Sequence, residues 1–375
     1  MPPRIEKEMI NLHRIETLVP PSQFKQDTFA QIQMNLVKDL KMRRFVQGLY
    51  NDCGVETRHS VVVESTDPFK SSFFSFLTNN DSSPEPTTQA RNDFYAQSCT
   101  PLGVEVSRRI LEGSFFKPGE ITHLITASCT GFYNPGVDLE IIQRLGLPLS
   151  TQRFHLGFMG CQAALPALRM AEQFCRASPE AVVLVVCMEL CTLHFHRAED
   201  LDTLMANSLF ADGVAAAIVS AKPPQPQTPH FQMRAFSSTL ILEGMGDMAW
   251  NIGDHGFDLV LSRYVPKIIG SRIGKAVDQF LHQWGLTPEE IGEWAVHPGG
   301  KAILDKFQKS MNLDPALLAA SRQVLRKFGN MSSATILFVL KSILETPQPH
   351  TENVAAIAFG PGLTVESAWL KKEIA

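Results

Sequence analysis

The strongest constraint on the fold of this chain is an internal repeat of one order of elements. Each copy opens with a Pro-x-Glu-Ile sequence and continues as strand, helix, glycine-opened helix and buried strand. In the first copy Cys161 follows Ile121 by 40 residues, and in the second Asn330 follows Ile291 by 39 residues. Because order, type and spacing all agree, we expect the chain to consist of two related halves.

Strands and helices alternate within each copy, which is typical of a layered α/β protein. The last strand of each copy is apolar along nearly its whole length, as in sheets that are covered on both faces. We expect the halves to face each other across a pseudo-twofold axis, where Cys161 and Asn330 can meet. The predicted strands are residues 122–128, 181–190, 293–297 and 353–360, and the predicted helices are residues 137–147, 161–174, 300–311 and 331–344.

A proline-rich segment separates the two halves. Residues 221–230 contain four prolines, and we place the boundary inside this segment, between residues 1–225 and residues 226–375. With 375 residues, of which 44% are apolar, the chain can bury a large core without disulfides or structural metals.

Charge and apolar runs exclude several classes of protein. A net charge of -4, with no long basic tract, argues against a nucleic-acid partner. The longest apolar run, residues 181–188, ends at Glu189 and is far shorter than the roughly 20 residues of a membrane span. The charged amino terminus lacks the apolar stretch of a signal peptide, so we expect a cytoplasmic protein whose seven cysteines are reduced.

Two local predictions concern the first quarter of the chain. Asp27 or Thr28 is expected to cap a helix whose apolar residues have three- and four-residue spacing, namely Phe29, Ile32, Leu36 and Leu40. Residues 78–93 are almost wholly polar and contain two prolines, so they are expected to form a surface loop.

Three residues are candidates for chemistry where the halves meet. Cys161 follows Gly160 at a predicted helix start, where the helix dipole stabilises a thiolate. His297 follows a short apolar strand and precedes Pro-Gly-Gly, so its ring is expected to project from a strand end. Each residue alone is also compatible with a structural role, as a core cysteine, a turn histidine or, for Asn330, a helix cap. Their convergence at one axis favours catalysis.

The segments around these residues resemble the type III polyketide synthases, the chalcone synthase-like branch of the thiolase-fold condensing enzymes. The matching segments are GFMGCQAALPALRMA, LFADGVAAAIV, WAVHPGGKAILD, FGNMSSATILFVL and FGPGLTVE, within a resemblance that extends from about Arg58 to Glu366. HPGG, GNMSSA and GPGLTVE point to this branch rather than to ketoacyl synthase III, which has the same Cys, His and Asn. The resemblance implies a thiolase-like fold of two pseudo-duplicated αβαβα halves in a layered arrangement.

The resemblance also implies roles for the three candidates. Cys161 is expected to be the nucleophile that holds a starter acyl chain as a thioester, with His297 and Asn330 completing the catalytic triad. These two residues stabilise the enolate that decarboxylation of malonyl-CoA leaves. The implied function is iterative condensation of a starter acyl-CoA with malonyl-CoA, followed by cyclisation to a pyrone or aromatic polyketide. No metal and no organic cofactor are expected.

Further residues match family positions that line the substrate cavity, namely Phe210, Leu259, Cys129, Cys191, His194, Trp250 and Ser332. Phe210 matches a gatekeeper aromatic residue, although a plain core position is equally compatible with its surroundings. Leu259 stands where plant enzymes have a second gatekeeper phenylalanine, and Cys129 and Cys191 stand where they have threonines. These differences favour a medium or long fatty acyl-CoA starter, whereas Trp250, in place of a small residue, fills space near the same wall.

Coenzyme A carries phosphate charges, for which the candidate ligands are Lys41, Arg43, Arg44 and Arg58. Any one of them is also compatible with a solvated helix face, because this region aligns poorly with the CoA-binding residues of the family. Asn134 matches a loop residue that reaches the partner subunit's cavity, which implies a homodimer.

Two other functions are also compatible with the sequence. One is a single condensation on acyl carrier protein, as in ketoacyl synthase III. The other is a non-catalytic scaffold that retains the fold.

Overall fold

The computed structural model describes residues 9–62, 84–197, 200–262, 265–347 and 352–375. The strands of the described residues are β1 Ile10–Leu18, β2 Gln23–Lys25, β3 Thr57–His59, β4 His123–Ser128, β5 Gln152–Gly157, β6 Val182–Leu190, β7 Asp212–Ser220, β8 Pro229–Leu240, β9 Met248–Gly253, β10 Gly256–Leu261, β11 Glu293–Val296, β12 Glu352–Gly360 and β13 Thr364–Ile374. Nine of them form one mixed sheet in the order β11-β12-β13-β8-β1-β7-β6-β4-β5, while β2 pairs with β3 and β9 with β10.

The helices of the described residues cover both faces of this sheet. They are α1 Gln26–Leu36, α2 Leu40–Asp52, α3 Thr88–Glu112, α4 Val137–Leu145, α5 Ala164–Ala177, α6 Leu201–Leu209, α7 Val265–Ile268, α8 Gly274–Trp284, α9 Lys301–Ser310, α10 Ala319–Phe328 and α11 Thr335–Glu345. A π-helical turn, Ile269–Ile273, joins α7 to α8. Each predicted strand and helix of the repeat is present, with ends that differ by a few residues.

The strand order shows the duplication directly. β1 and β8, the first large strand of each half, pair antiparallel at the centre of the sheet, where Ile10 faces Met233. Outward from this pair, β7, β6 and β4 of the first half correspond to β13, β12 and β11 of the second half. The two series have the same succession of antiparallel, antiparallel and parallel pairings. The structure therefore confirms the two related halves.

Alternate residues of each buried strand face different cores. In β6, Val183 and Val185 face a central core that contains α5 and α11, whereas Leu184 and Val186 face an outer core with α3 and α4. In the second half, β12 separates the same central core from an outer core with α8 and α9. The layers are therefore helix, half-sheet, paired central helices, half-sheet and helix. This is the expected αβαβα arrangement, and it explains why these strands are apolar on both faces.

The predicted helix that contains Phe29, Ile32 and Leu36 is present, but its extension to Leu40 is wrong, because a second helix begins there. α1 ends at Leu36, and Val37 continues in extended conformation. Asp39 then caps α2 by accepting a hydrogen bond from the Met42 amide at 2.8 Å. Neither Asp27 nor Thr28 is a cap, since α1 follows Lys25 and has no side-chain cap.

The predicted loop at residues 78–93 is wrong over its second part. α3 begins at Thr88, and the hydroxyl of Thr87 caps it by accepting from the Ala90 amide at 3.2 Å. Residues 78–83 lie outside the described residues. No helix of the described ranges has both the length and the apolar content needed to cross a membrane.

Candidate active site

Cys161 lies in a tight turn that requires glycine. Gly160 has a φ of +84°, and a Cβ atom there would lie 2.2 Å from Cδ of Pro361. Its amide donates a hydrogen bond to Sγ of Cys129 at 2.9 Å. α5 begins only at Ala164, so Cys161 precedes the helix instead of opening it, and its half-buried side chain lines a cavity.

A second glycine turn places Asn330 at the same cavity. Gly329 has a φ of +72°, and a Cβ atom there would lie 2.9 Å from the Leu209 carbonyl oxygen. The Asn330 amide donates to that oxygen at 2.9 Å, and its carbonyl accepts from the Ala211 amide at 2.9 Å. These two bonds join the second-half turn that carries Asn330 to the first-half segment around Phe210.

The side chain of Asn330 is oriented by its own turn. Its Oδ1 atom accepts from the Ser332 amide at 2.9 Å and from the Thr335 hydroxyl at 3.4 Å. The Nδ2 group is therefore left to donate elsewhere. Asn330 and Ser332 line the same cavity as Cys161.

His297 follows directly on β11. Its amide donates to the Ile357 carbonyl at 2.8 Å, so the backbone is held in the sheet while the side chain reaches the cavity. The residue is 1% exposed, and neither Nδ1 nor Nε2 has a hydrogen-bond partner among the described residues. A buried imidazole without partners is costly, and this one has both nitrogens free to bind a substrate.

The structure thus brings Cys161, His297 and Asn330 to one cavity of about 60 Å³. Both halves supply its other walls, which are mostly apolar. They include Cys129, Cys191, Phe210, Met248, Ile303 and Phe359. An apolar cavity with a few convergent polar groups is typical of a small-molecule site.

Burial governs the protonation of the two titratable residues. It raises the pKa of the Cys161 thiol to about 12, against the opposing hydrogen bonds from Ser332 and Asn330. It also lowers the pKa of His297 to about 3. Both pKa directions favour a neutral thiol and a neutral imidazole, instead of the helix-stabilised thiolate that the sequence predicted. A neutral imidazole can accept the thiol proton during nucleophilic attack, which leaves the net charge of the site unchanged.

Two models of known protein domains match this chain. The model of the N-terminal domain of chalcone and stilbene synthases matches residues 11–223, and that of the C-terminal domain matches residues 232–373. The chain belongs to the chalcone and stilbene synthase family. This confirms the family resemblance and identifies the chain as a condensing enzyme of the type III polyketide synthase class.

Individual relatives in the chalcone and stilbene synthase family agree with this assignment. The chain is 33% identical to the alpha-pyrone synthesis polyketide synthase-like Pks18 of Mycobacterium tuberculosis, over 98% of this chain and 92% of that protein. It superposes on the C-terminal type III polyketide synthase domain of Steely1 from Dictyostelium with a TM-score of 0.88, at 29% identity over 97% and 99% of the two chains. For 1,3,6,8-tetrahydroxynaphthalene synthase of Streptomyces coelicolor the TM-score is 0.87, at 25% identity over 97% and 100%.

In this chalcone synthase-family site, Glu189 is a buried acid that the sequence analysis did not assign to the site. The carboxylate accepts hydrogen bonds from the Cys129 amide and the Thr130 hydroxyl, both at 3.0 Å, and from the Ser333 hydroxyl. It therefore ties the segment after β4 to the turn that carries Asn330. Its signal in the sequence is an acidic residue that interrupts the most apolar strand of the chain.

Glu189 makes stability depend on pH. Burial raises its pKa from 4.5 to about 7, with the three hydrogen bonds acting in the opposite direction. Between these values the folded state keeps a proton that the unfolded state releases, so the free energy of unfolding falls as pH rises, by about 3 kcal/mol in total. Glu189→Gln cannot titrate. We expect the urea stability of the wild type to fall by about this amount relative to Glu189→Gln between about pH 4.5 and about pH 8. Parallel pH profiles of the two proteins would contradict this expectation.

Four of the predicted cavity residues separate the first cavity from a second one. Cys191, Phe210, Trp250 and Leu259 line both cavities, and we call them the partition. Trp250 and Leu259 are opposite each other in the β9–β10 hairpin, and Nε1 of Trp250 donates to the Cys129 carbonyl at 2.7 Å. This hydrogen bond holds Trp250 between the two cavities, at the wall where the sequence predicted that its ring fills space.

The other predicted cavity residues differ in position. Cys129 and Ser332 line the first cavity. His194 lines only the second, where its Nε2 donates to the Thr130 carbonyl at 2.7 Å and its Nδ1 accepts from the Phe257 amide at 3.0 Å. Burial lowers the pKa of His194 to about 3, so this histidine is a neutral packing residue. Asn134 is exposed and does not line the described cavities of its own chain.

Arg58 is wrong as a ligand of CoA phosphates. It is fully buried, with the guanidinium 3.9 Å from the ring centre of Phe29. Its Nη1 donates to the carbonyls of Asn207 and Phe210, at 2.7 and 2.8 Å. Arg58 therefore holds the end of α6 and the start of the Phe210 segment. The other three candidates, Lys41, Arg43 and Arg44, lie exposed on α2, outside the lining of the described cavities.

Proposed function

We propose that this protein condenses a starter acyl-CoA with malonyl-CoA repeatedly, through a thioester on Cys161, and releases a cyclised pyrone or aromatic polyketide. The observation that carries the proposal is the convergence of Cys161, His297 and the Nδ2 group of Asn330 on one largely apolar cavity. A thiol, a base and an aimed hydrogen-bond donor are the groups that this chemistry requires.

Loading of the starter is the first step. Sγ of Cys161 attacks the thioester carbonyl of the acyl-CoA while a ring nitrogen of His297 takes the thiol proton. The C–S bond to coenzyme A breaks, and the proton passes from His297 to the departing thiolate. The unpaired ring nitrogens of His297 support this role, because no described residue competes for them.

Extension then uses malonyl-CoA. The bond between the malonyl methylene carbon and its carboxylate breaks, carbon dioxide leaves, and the electron pair forms an enolate on the thioester oxygen. His297 and Nδ2 of Asn330 donate hydrogen bonds to that oxygen. The enolate carbon attacks the acyl carbonyl on Cys161, a C–C bond forms, and the thiolate leaves. Reloading of the lengthened chain onto Cys161 repeats the cycle until the chain cyclises.

Incubation with radiolabelled malonyl-CoA and a panel of starter acyl-CoA esters tests this proposal. Multi-round lactones or aromatic products are the expected result. One-round products that form only on acyl carrier protein would support a ketoacyl synthase III-like activity instead. Absence of carbon dioxide release with every starter would leave the non-catalytic scaffold as the remaining function.

For the starter, we propose a medium or long fatty acyl-CoA, and hence an alkyl pyrone or resorcinol. The alkyl chain would extend from the first cavity through the partition into the second cavity. Two residues of the partition favour passage of an alkyl chain. Cys191 has a small side chain, and Leu259 has a flexible, apolar one. The relative Pks18, whose name describes alpha-pyrone synthesis, gives independent support for a pyrone product.

We expect kcat/KM for lauroyl-CoA to exceed that for coumaroyl-CoA. Trp250→Ala should raise the ratio of lauroyl-CoA to hexanoyl-CoA turnover about tenfold, because it opens the partition to the methylene groups of the longer chain. Met248→Ala is the matched control, since Met248 lines the first cavity but not the second. A tenfold preference for coumaroyl-CoA, or processing of malonyl-CoA without any starter, would contradict the fatty acyl proposal.

We also propose that each chain consists of two domains, residues 1–225 and residues 226–375. We further propose that two such chains form a homodimer with Asn134 at the interface. Asn134 lies on an exposed loop beside Phe132, whose 48% exposure leaves an aromatic ring for a partner subunit to cover. Sedimentation equilibrium should give twice the chain mass for the wild type and a weaker dimer for Phe132→Asp.

A further inference from the structure

The first part of α2, with the two residues before it, combines cations with large apolar side chains. Residues 38–45 contain two lysines, two arginines and one aspartate, so this short segment is positive in a chain whose net charge is -4. All of its residues except Met42 are exposed. They include Leu40 and Phe45, which are 70% and 44% exposed. None of these residues lines a described cavity, so the candidate active site gives them no role.

Helix geometry brings the cations and the apolar residues onto one face. Leu40 and Arg44 are four residues apart, as are Lys41 and Phe45, so the members of each pair are neighbours on the helix surface. Val46, which is fully buried, anchors the opposite side of α2 in the core. We call Leu40, Lys41, Arg44 and Phe45 the outer face of α2. An ordinary solvated helix face has polar residues there, whereas this face alternates charge with large apolar groups.

The cations of the outer face have no close acidic partner. Among the described residues, no carboxylate lies within 4 Å of the Lys41 ammonium group or the Arg44 guanidinium. Asp39, the acidic residue of the segment, accepts a hydrogen bond from the Met42 amide and thereby caps α2. Lys41 and Arg44 can therefore bind added anions without breaking an ion pair.

The helix that carries the outer face adjoins a wall of the second cavity. α2 packs against α6, and Thr203 and Ala206 of α6 line that cavity. Gln26 joins the ends of the two helices, because its Nε2 donates to the Ser208 carbonyl at 2.7 Å and to Sγ of Cys53 at 3.0 Å. A surface bound to the outer face would therefore lie near the cavity that we propose for the alkyl chain.

We infer that the outer face of α2 docks on an anionic lipid bilayer, with Lys41 and Arg44 at the headgroup phosphates and Leu40 and Phe45 in the interface below them. Alternating cations and apolar groups fit this partner, because lipid headgroups place negative charge directly above an apolar layer. The acidic remainder of the chain opposes docking only weakly, since charges beyond about 10 Å are screened at about 0.1 M salt. A globular partner would need a contact of about 800 Å² per subunit, which four side chains cannot supply. The docking does not depend on the proposed function.

Flotation of the full chain with lipid vesicles tests the docking. The wild type should float with phosphatidylcholine vesicles that contain one third phosphatidylglycerol, and it should not float with pure phosphatidylcholine. An increase from about 0.1 M to about 1 M salt should release it, because the Debye length falls from about 10 Å to about 3 Å. The double variant Lys41→Gln/Arg44→Gln should bind about 25-fold more weakly, about fivefold for each charge. Leu40→Ser/Phe45→Ser should bind at least about tenfold more weakly.

Two control variants match these changes elsewhere on the surface. Lys306→Gln/Lys309→Gln removes two exposed charges from α9, and Leu242→Ser removes an apolar side chain that is 69% exposed. Both should bind vesicles like the wild type. Equal losses in the control and outer-face variants would overturn the inference in favour of nonspecific adsorption. Undiminished binding of either outer-face variant would overturn it in favour of another surface, and binding to neither kind of vesicle would leave an acidic protein as the partner of this face.

A fluorescence measurement locates the contact without any turnover. On anionic vesicles that contain brominated phosphatidylcholine, the emission of Phe45→Trp should be quenched more than that of the wild type, because the added indole enters the interface. Leu242→Trp should show only the quenching of the wild type. Equal quenching of both variants would reject docking through α2, even in a protein that makes polyketides. Selective quenching of Phe45→Trp would support docking, even in a protein that condenses nothing.

Discussion

Replacing Cys161 by alanine is expected to abolish loading of the starter and to lower product formation by at least about a thousandfold. The reason is chemical, because alanine has no atom that can accept the acyl group. Intact-protein mass spectrometry after incubation with the starter acyl-CoA should show an acyl adduct on the wild type and none on Cys161→Ala.

A neighbouring cysteine provides the control for this result. Cys191 is a thiol that lines the same cavity, and it is buried. Cys191→Ala should keep the adduct, and peptide mapping should place it on Cys161. An adduct that persists on Cys161→Ala would show that another residue is the acyl acceptor and would reject the nucleophile assignment.

The fold was predictable where the sequence pattern is local and repeated. The apolar strand at residues 182–190 and the glycines before Cys161 and Asn330 recur at matched spacing, so the two halves could be recognised without a structure. The central strand β1 was not predicted, because His13, Arg14 and Glu16 give it a polar composition. Its burial depends on pairing with β7 and β8, strands about 200 residues away, which no local pattern reports.

The break between α1 and α2 was missed for a related reason. The apolar spacing that ends at Leu36 and Leu40 runs through the break and mimics one continuous helix. The contrary signal was Asp39, whose carboxylate caps α2, but capping residues are also common on helix surfaces. Periodicity therefore identified the buried residues Phe29 and Ile32, but it placed the helix ends incorrectly and included Leu40, which is 70% exposed.

In the site, the sequence predicted the reactive residues better than the residues that hold them. Cys161, His297 and Asn330 stand in recognisable motifs and line one cavity. Glu189 and Arg58 act through buried polar contacts between distant segments, so their partners are visible only in the fold. Arg58 in particular has the residue type of a phosphate ligand but the burial of a core residue.

Replacing Asn330 by alanine is expected to separate the two half-reactions. Loading of the starter should stay near the wild-type level, because Cys161 and His297 remain in place. Decarboxylation of malonyl-CoA should fall a hundredfold or more, since the enolate loses a donor worth about 3 kcal/mol. Adduct formation by mass spectrometry and carbon dioxide release from radiolabelled malonyl-CoA measure the two steps independently.

Asn330→Asp distinguishes a lost donor from a damaged turn. Aspartate keeps an oxygen that can accept from the Ser332 amide and the Thr335 hydroxyl, so the turn should hold and thermal stability should stay close to that of the wild type. It lacks the Nδ2 donor, and its decarboxylation rate should therefore fall as far as in Asn330→Ala. Wild-type decarboxylation in Asn330→Asp would reject the donor role. An equal loss of loading and decarboxylation in Asn330→Ala, accompanied by a lower Tm, would mean that Asn330 only supports the turn, and the enolate would then depend on His297 alone.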